Sequence, residues 1–265
     1  MTRYRRSVLT FVITLLLTLA IMTVLWRVAV ARHNVSLIDI YWGPGFAVIA
    51  WVAVARESAP SAVIVVLALL VSLWGARLGI HLWTRNRNLP EDPRYAAMRQ
   101  NYPGDEDFER ASLVKIFYLQ GTLMWLISLP VQIAVVTGIE STGPLAVLGL
   151  LVFVVGLLFE TVGDYQLARF KRDPSNKGKV LDSGLWRLTR HPNYFGDACV
   201  WWGIFLIAAE APAARWAVFA PLLMNYLLLQ VSGKKLLEDN LRLSKPGYAE
   251  YIEKTSPFLP RPPRD

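Results

Sequence analysis

Residues 7–26, SVLTFVITLLLTLAIMTVLW, contain no charged side chain. At 1.5 Å of rise per residue, a helix of this length crosses the ~30 Å hydrocarbon layer of a bilayer. A cleaved leader would carry a shorter apolar segment, ~7–15 residues, ending at a small-residue site; Leu25-Trp26-Arg27 is not one. The run therefore reads as a permanent transmembrane helix. Working outward from it, six further apolar stretches follow at 35–55, 60–83, 116–139, 142–164, 191–209 and 213–233, each set off by Pro, Gly or charged breaks. The pattern predicts an all-α integral membrane protein, a bundle of about seven transmembrane helices. Composition agrees: 54% of the residues are hydrophobic and mean hydropathy is +0.36, whereas soluble domains sit nearer ~45–50% apolar.

The connections at 56–59, 140–141 and 210–212 are short; those at 84–115 and 165–190 are long and polar. Of the 28 Lys and Arg, five fall in the N-terminal segment and at the short connections, counting Arg215 with the last of them. The other 23 fall in the 27–34 connection, the long loops (counting Arg77 with the first) and the tail from Lys234. Basic residues gather on the cytoplasmic side of a membrane, so the C-terminus is expected in the cytoplasm and the N-terminus outside, although Arg3, Arg5 and Arg6 pull the other way. The same topology accounts for the net charge of +8 without nucleic acid as a partner. The organisation expected is one membrane domain over 1–265: a first helix and connection (1–34), a six-helix catalytic bundle (35–233) and a cytoplasmic tail (234–265) that docks on it. No inverted repeat of the transporter kind is visible. The single cysteine, Cys199, excludes an internal disulfide and a multi-cysteine metal site, and reads as a small buried hydrophobe.

Charges inside spans cost ~2.5–3.5 kcal/mol on insertion scales and call for a partner or a function. Asp39 lies one turn into the second span. Arg77 and His81, four apart, share a face of the third, and Asp164 ends the fifth. With the C-terminus cytoplasmic, all four fall in the cytoplasmic half of the membrane, which predicts a pocket open to the cytosol. A structural ion pair between Asp39 and Arg77 is the plainer reading, as is a satisfied interfacial histidine for His81. Gly43-Pro44-Gly45 is expected to loosen the second span, either beside a cavity or as a packing kink.

The densest constellation is Arg187-Leu188-Thr189-Arg190-His191-Pro192-Asn193-Tyr194-Phe195-Gly196-Asp197. His-Pro sets a helix start, and a helix N-terminus attracts anions. Arg187 and Arg190 add charge, while Trp186 and Tyr194 offer faces for a flat ring. Upstream, Arg169, Lys171, Arg172, Lys177 and Lys179 suit phosphate; positive-inside anchoring explains most of these lysines equally well. There is no Gly-x-Gly-x-x-Gly after a strand, no P-loop and no metal-spaced cluster, so no metal is expected and any nucleotide binds without a Rossmann domain.

The segment 185–197, followed by Glu238, Tyr248-Ala249-Glu250-Tyr251 and 255–260, resembles the steroid 5α-reductase family in its bacterial branch. So do Glu91-Asp92-Pro93-Arg94-Tyr95 with Met98-Arg99, and Phe117-Tyr118-Leu119-Gln120-Gly121. The likeness runs from about Asp39 to the C-terminus. It implies a multi-pass enzyme, in the bacterial inner membrane, that uses NADPH to reduce a carbon–carbon double bond conjugated to a ketone. The substrate it implies is a hydrophobic small molecule of the 3-oxo-Δ4 steroid type, entering from the bilayer. By resemblance the cofactor positions are Arg77, Arg85 or Arg87, Asp164, Lys171, Arg190, Asn193, Tyr194 and Asp197, with His81, Trp186 and His191 beside them. Lys234 and Glu238 would close over the cofactor. Asp39 matches the family's ketone-polarising acid, expected to be protonated by burial; the family's tyrosine position falls near Trp74, with Tyr41 as a substitute. The isoprenylcysteine methyltransferases, which bind S-adenosylmethionine, share an Arg-His-Pro-x-Tyr segment and supply the competing reading. A membrane subunit without catalysis is a third.

Overall fold

The computed structural model describes residues 3–231, 238, 241–242 and 245–264. Among the described residues every regular element is helical. In chain order these are α1 (Arg3–Ala31), α2 (Leu37–Ala55), α3 (Ala62–Asn86), α4 (Pro93–Arg99) and α5 (Asp105–Ser112). After a π-helical turn, Leu113–Tyr118, come α6 (Leu119–Ile127), α7 (Leu129–Thr137), α8 (Pro144–Arg172), a 3-10 turn (Pro174–Asn176), α9 (Leu185–Leu188) and α10 (Pro192–Ala208). A 3-10 segment, Pro212–Val218, leads into α11 (Phe219–Tyr226) and a second π-turn, Leu227–Val231; α12 is Tyr248–Lys254. Among the described residues five helices are long and apolar enough to cross a membrane: Tyr4–Ala31, Leu37–Ala55, Ala62–Asn86, Pro144–Arg172 and Pro212–Val231. The pair Asp105–Ile127 and Leu129–Thr137, bent by 46°, makes a sixth if it is one span. The bend falls at Pro130, which lacks the N–H that would continue the ladder. The stretch expected at 191–209 is α10, 17 residues long.

The chain divides into two compact units. The first comprises Met1–Gly143 with Ala208–Ala220, the second Pro144–Ile207 with Pro221–Asp265. In the first, α2 and α3 pack through glycine. A Cβ on Gly43 would lie 2.5 Å from the Gly75 carbonyl oxygen, and one on Gly79 would lie 2.8 Å from the Pro44 ring. The expected loosening at Gly43-Pro44-Gly45 is thus not a break: α2 runs continuously through Pro44, and the small residues let α3 approach. Between α1 and α7, the buried Gln132 amide is fully engaged. Its Oε1 accepts from Thr14 Oγ1 (2.7 Å) and its Nε2 donates to Ser128 Oγ (2.8 Å), which removes the cost of an unpaired amide inside a span.

In the second unit α8 and α10 run against each other on glycines spaced seven apart, two helical turns. Gly149 faces Gly203, Gly156 faces Gly196, and Gly163 faces Pro192. A Cβ at Gly156 would stand 2.5 Å from the Gly196 carbonyl oxygen and 2.6 Å from the Val200 nitrogen. Backbone cannot swing aside, so Gly156→Ala is expected to lower stability by about 1–3 kcal/mol, read as a fall in melting temperature in detergent; an unchanged melting temperature would contradict this packing. α8 extends to Arg172, past the apolar stretch read as ending at 164, which puts Lys171 on a helix rather than in a loop.

Candidate functional site

Each unit carries one cluster of chemistry-bearing residues. In the first unit it is built where the loop after α3 returns over the start of α2. Asp92 caps α4, accepting from the Arg94 backbone N–H at 2.9 Å, with Pro93 in the first turn. The cap fixes the loop, and Glu91 fixes it again by accepting from the Val35 N–H (2.9 Å) and from Arg99 Nη2 (3.0 Å). Arg99 itself lies 4.3 Å from the centre of the Phe108 ring. Held this way, the loop delivers two side chains to Asp39. Arg94 Nη2 donates to Asp39 Oδ2 at 3.0 Å, and the Tyr95 hydroxyl donates to Asp39 Oδ1 at 2.8 Å. Gln120 Nε2 donates to the Tyr95 oxygen at 3.0 Å.

Asp39 stands in the first turn of α2, where the helix dipole favours a carboxylate. Both of its oxygens accept hydrogen bonds, and the O–H of the cluster belongs to Tyr95. Among the described residues Asp39 pairs with Arg94 and Tyr95 of α4, rather than with the Arg77 of the ion-pair reading. Burial, followed by the neighbouring Asp39 charge and hydrogen bond, pushes the Tyr95 phenol well above its ordinary range, so it stays protonated at any working pH. Of the alternatives Arg85 and Arg87, the Arg85 charge acts on Asp92, whereas Arg87 lies over the Trp83 ring, 5.0 Å from its centre. Trp74 is fully buried and meets Phe46 edge-on at 5.6 Å. Tyr41, Arg77 and His81 are half-buried on α2 and α3.

Burial pulls Asp92 up, but hydrogen bonds from Arg94 and the Arg94 and Arg85 charges outweigh it and hold its carboxyl below the ordinary 3.8. A depressed folded value contributes stability above pH ~4 that is lost as pH falls through that value. Asp92→Asn is therefore expected to flatten the acid limb of melting temperature against pH below about pH 4; an unaltered limb would contradict the pairing.

In the second unit the cluster forms where the C-terminal segment docks on residues 185–195. The Arg190 N–H donates to the Ser256 carbonyl (2.9 Å), Thr189 Oγ1 to the Phe258 carbonyl (2.8 Å), and the Arg261 N–H to the Leu188 carbonyl (2.9 Å). The Tyr251 hydroxyl donates to the Trp186 carbonyl at 2.5 Å, and burial raises that phenol. Residues 251–261 thus dock on 186–190. Pro192 begins α10, as the His-Pro pair predicts. His191 stacks on Tyr194 at 5.3 Å, and its Nε2 lies 2.8 Å from Glu238 Oε1; Arg190 Nε lies 3.6 Å from the same oxygen. Asn193 Nδ2 donates to Asp164 Oδ1 at 3.1 Å, from α10 to α8. Trp186 Nε1 donates to the Gly163 carbonyl at 3.0 Å.

Arg190 is 8% exposed, and its Nη1 is buried with no hydrogen bond among the described residues. A buried guanidinium with spare donor capacity fits a phosphate or carboxylate, so the cluster suits an anionic cofactor. Of the positions expected around the cofactor, this unit brings together Asp164, Trp186, Arg190, His191, Asn193, Tyr194 and Glu238. Asp197 sits on α10 one turn past Asn193, Lys171 is exposed at the end of α8, and Lys234 lies outside the described residues.

A family model described as "Protein of unknown function (DUF1295)" matches residues 25–255. The chain belongs to the DUF1295 family. This DUF1295 chain is 28% identical to an uncharacterized protein of Schizosaccharomyces pombe, over 95% of its own length and 80% of the relative's. A shorter likeness, 45% identity over 57 residues, joins it to a probable O-methyltransferase of Ustilaginoidea virens. That match covers 22% of this chain and 20% of the relative. No solved structure matches the chain.

Proposed function

We propose that this DUF1295 protein reduces a carbon–carbon double bond conjugated to a ketone in a lipid-like substrate, as steroid 5α-reductases do. The observation that carries the reading is the Tyr95 hydroxyl held 2.8 Å from Asp39 and 3.0 Å from Gln120. Reduction of an enone adds a hydride at the β-carbon and a proton at the α-carbon, and in between the ketone oxygen gains negative charge. A neutral O–H aimed at that oxygen lowers the barrier. Tyr95 is this donor: its single O–H, held on Asp39 Oδ1 here, turns to the ketone oxygen when substrate binds, while Gln120 keeps the phenol in place and Arg94 balances the Asp39 charge. NADPH, when bound, supplies the hydride. Taken by itself, the second unit offers groups that would suit it: Arg190 for its phosphate charge, the His191–Tyr194 stack as a ring face, and Asn193, held by Asp164, as a neutral polar contact. In this reading Asp39 positions the donor; it is not the donor itself.

The proposal extends to topology: α10 joins the other spans to make seven, with the N-terminus outside and the C-terminal tail in the cytoplasm of a bacterial cell, where the nucleotide is available. The charge distribution supports it. A second reading, methyl transfer from S-adenosylmethionine, is favoured by the 57-residue likeness to a probable O-methyltransferase, and Arg190 would fit that cofactor's carboxylate. Methyl transfer to a hydroxyl needs a base to take up a proton, however, whereas a phenol held protonated beside Asp39 is suited to donate a hydrogen bond. The test is NADPH oxidation by the detergent-purified protein with a 3-oxo-Δ4 steroid and with shorter conjugated ketones. Loss of NADPH matched by gain of saturated ketone is expected; methylated product from S-adenosylmethionine with no NADPH consumed on any of these ketones would overturn the reading.

A further inference from the structure

The first unit holds a groove of about 550 Å³ beside the Asp39 cluster. Its walls include Leu37 and Ile40 from the first turn of α2, Trp83 near the end of α3, and Leu89 in the loop. Two guanidiniums, Arg32 and Arg87, stand in its lining. The two carboxylates there are already engaged: Glu91 by Arg99 and the Val35 N–H, Asp92 by Arg94. Neither Arg32 nor Arg87 has a carboxylate partner among the described residues, and both are exposed. Arg87 rests on Trp83, an indole half exposed at 50%.

We infer that this groove binds an anionic phospholipid, its phosphate on Arg32 and Arg87 and its acyl chains along Leu37, Ile40 and Trp83. Three observations support that occupant over a soluble anion. The groove opens at the end of two helices long and apolar enough to span a membrane, so its apolar wall continues into the bilayer. Tryptophan at such an end sits at the headgroup level, and a basic pocket between spanning helices selects acidic headgroups. A soluble phosphate would gain nothing from the leucine and isoleucine wall, whereas a zwitterionic lipid would bring no net charge for the two arginines. Arg87 is thereby assigned to the lipid and not to a cofactor, and the inference does not depend on the reaction proposed above.

The full chain in detergent tests this by native mass spectrometry and thermal melting. Dioleoyl phosphatidylglycerol, dioleoyl phosphatidylcholine and glycerol phosphate are added in turn to wild type, to Arg32→Gln/Arg87→Gln and to Arg32→Lys/Arg87→Lys. Phosphatidylglycerol is expected to stay bound and raise the melting temperature, and the other two to do neither. Each arginine near an anionic headgroup contributes roughly fivefold, so the double glutamine variant should bind phosphatidylglycerol roughly thirtyfold more weakly, while the lysine pair keeps most of the affinity. If the double variant does not fold, Arg87→Gln alone is read, with a roughly fivefold loss expected. Equal binding of phosphatidylcholine, stabilisation by glycerol phosphate alone, or undiminished phosphatidylglycerol binding by the glutamine variants would each overturn the inference.

Discussion

Tyr95→Phe is expected to lower turnover of a conjugated ketone by about 10²–10⁴-fold, the range for removing a positioned proton donor. Nucleotide affinity should be unchanged. The hydroxyl is the only part of the side chain lost, and the ring keeps its packing. Its removal also leaves Asp39 Oδ1 and Gln120 Nε2 each short of one partner, so a modest fall in stability of about 1–3 kcal/mol accompanies it. The two effects separate by measurement: steady-state kinetics report the first and thermal melting the second. Asp39→Asn should act through Tyr95 and Arg94, lowering kcat more than it raises KM. Full activity in Tyr95→Phe would remove the phenol from the chemistry, and full activity in Asp39→Asn would remove its anchor.

Arg190→Gln is expected to weaken binding of an anionic cofactor by about 2–5 kcal/mol, the cost of truncating one partner of a buried charge pair. The side chain is 9% exposed and Glu238, at 14%, is its ionic neighbour. Glutamine leaves the Glu238 contact with His191 in place. Arg190→Lys should rescue little, because an ammonium cannot reproduce the planar fork. Titration of the ligand into each variant checks this, with the melting temperature of the unliganded protein as the measure of folding. Equal affinity in wild type and Arg190→Gln would contradict the assignment.

Most helix positions were legible because length and apolarity are what a bilayer demands: the stretch at 35–55 became Leu37–Ala55 and that at 60–83 became Ala62–Asn86. What hydropathy misread were places where local geometry decides. A Gly-Pro-Gly triplet reads as a helix breaker by propensity, yet Gly43 and Pro44 serve the close approach of α3. The 84–115 stretch reads as loop because α4 and α5 are short and polar, although the Asp92-Pro93 cap of α4 is a visible signal. In the candidate site the sequence singled out Asp39 and the 186–194 segment but not Tyr95, Arg94 or Gln120. Those three were visible only as matching motifs, since hydropathy carries no record of which loop folds back over which helix start. His191, Asn193 and Asp164 were legible for the opposite reason: a His-Pro helix start and a carboxylate inside a span are anomalies whatever they contact.

Which cofactor the Arg190 cluster accepts is measured most directly by thermal stabilisation of the purified protein. A ligand that binds only the folded state raises stability by about 2.7 kcal/mol at a hundred times its dissociation constant. NADPH is expected to raise the melting temperature in wild type and to raise it much less in Arg190→Gln, while S-adenosylmethionine leaves both unchanged. Stabilisation by S-adenosylmethionine with none by NADPH would contradict the reductase.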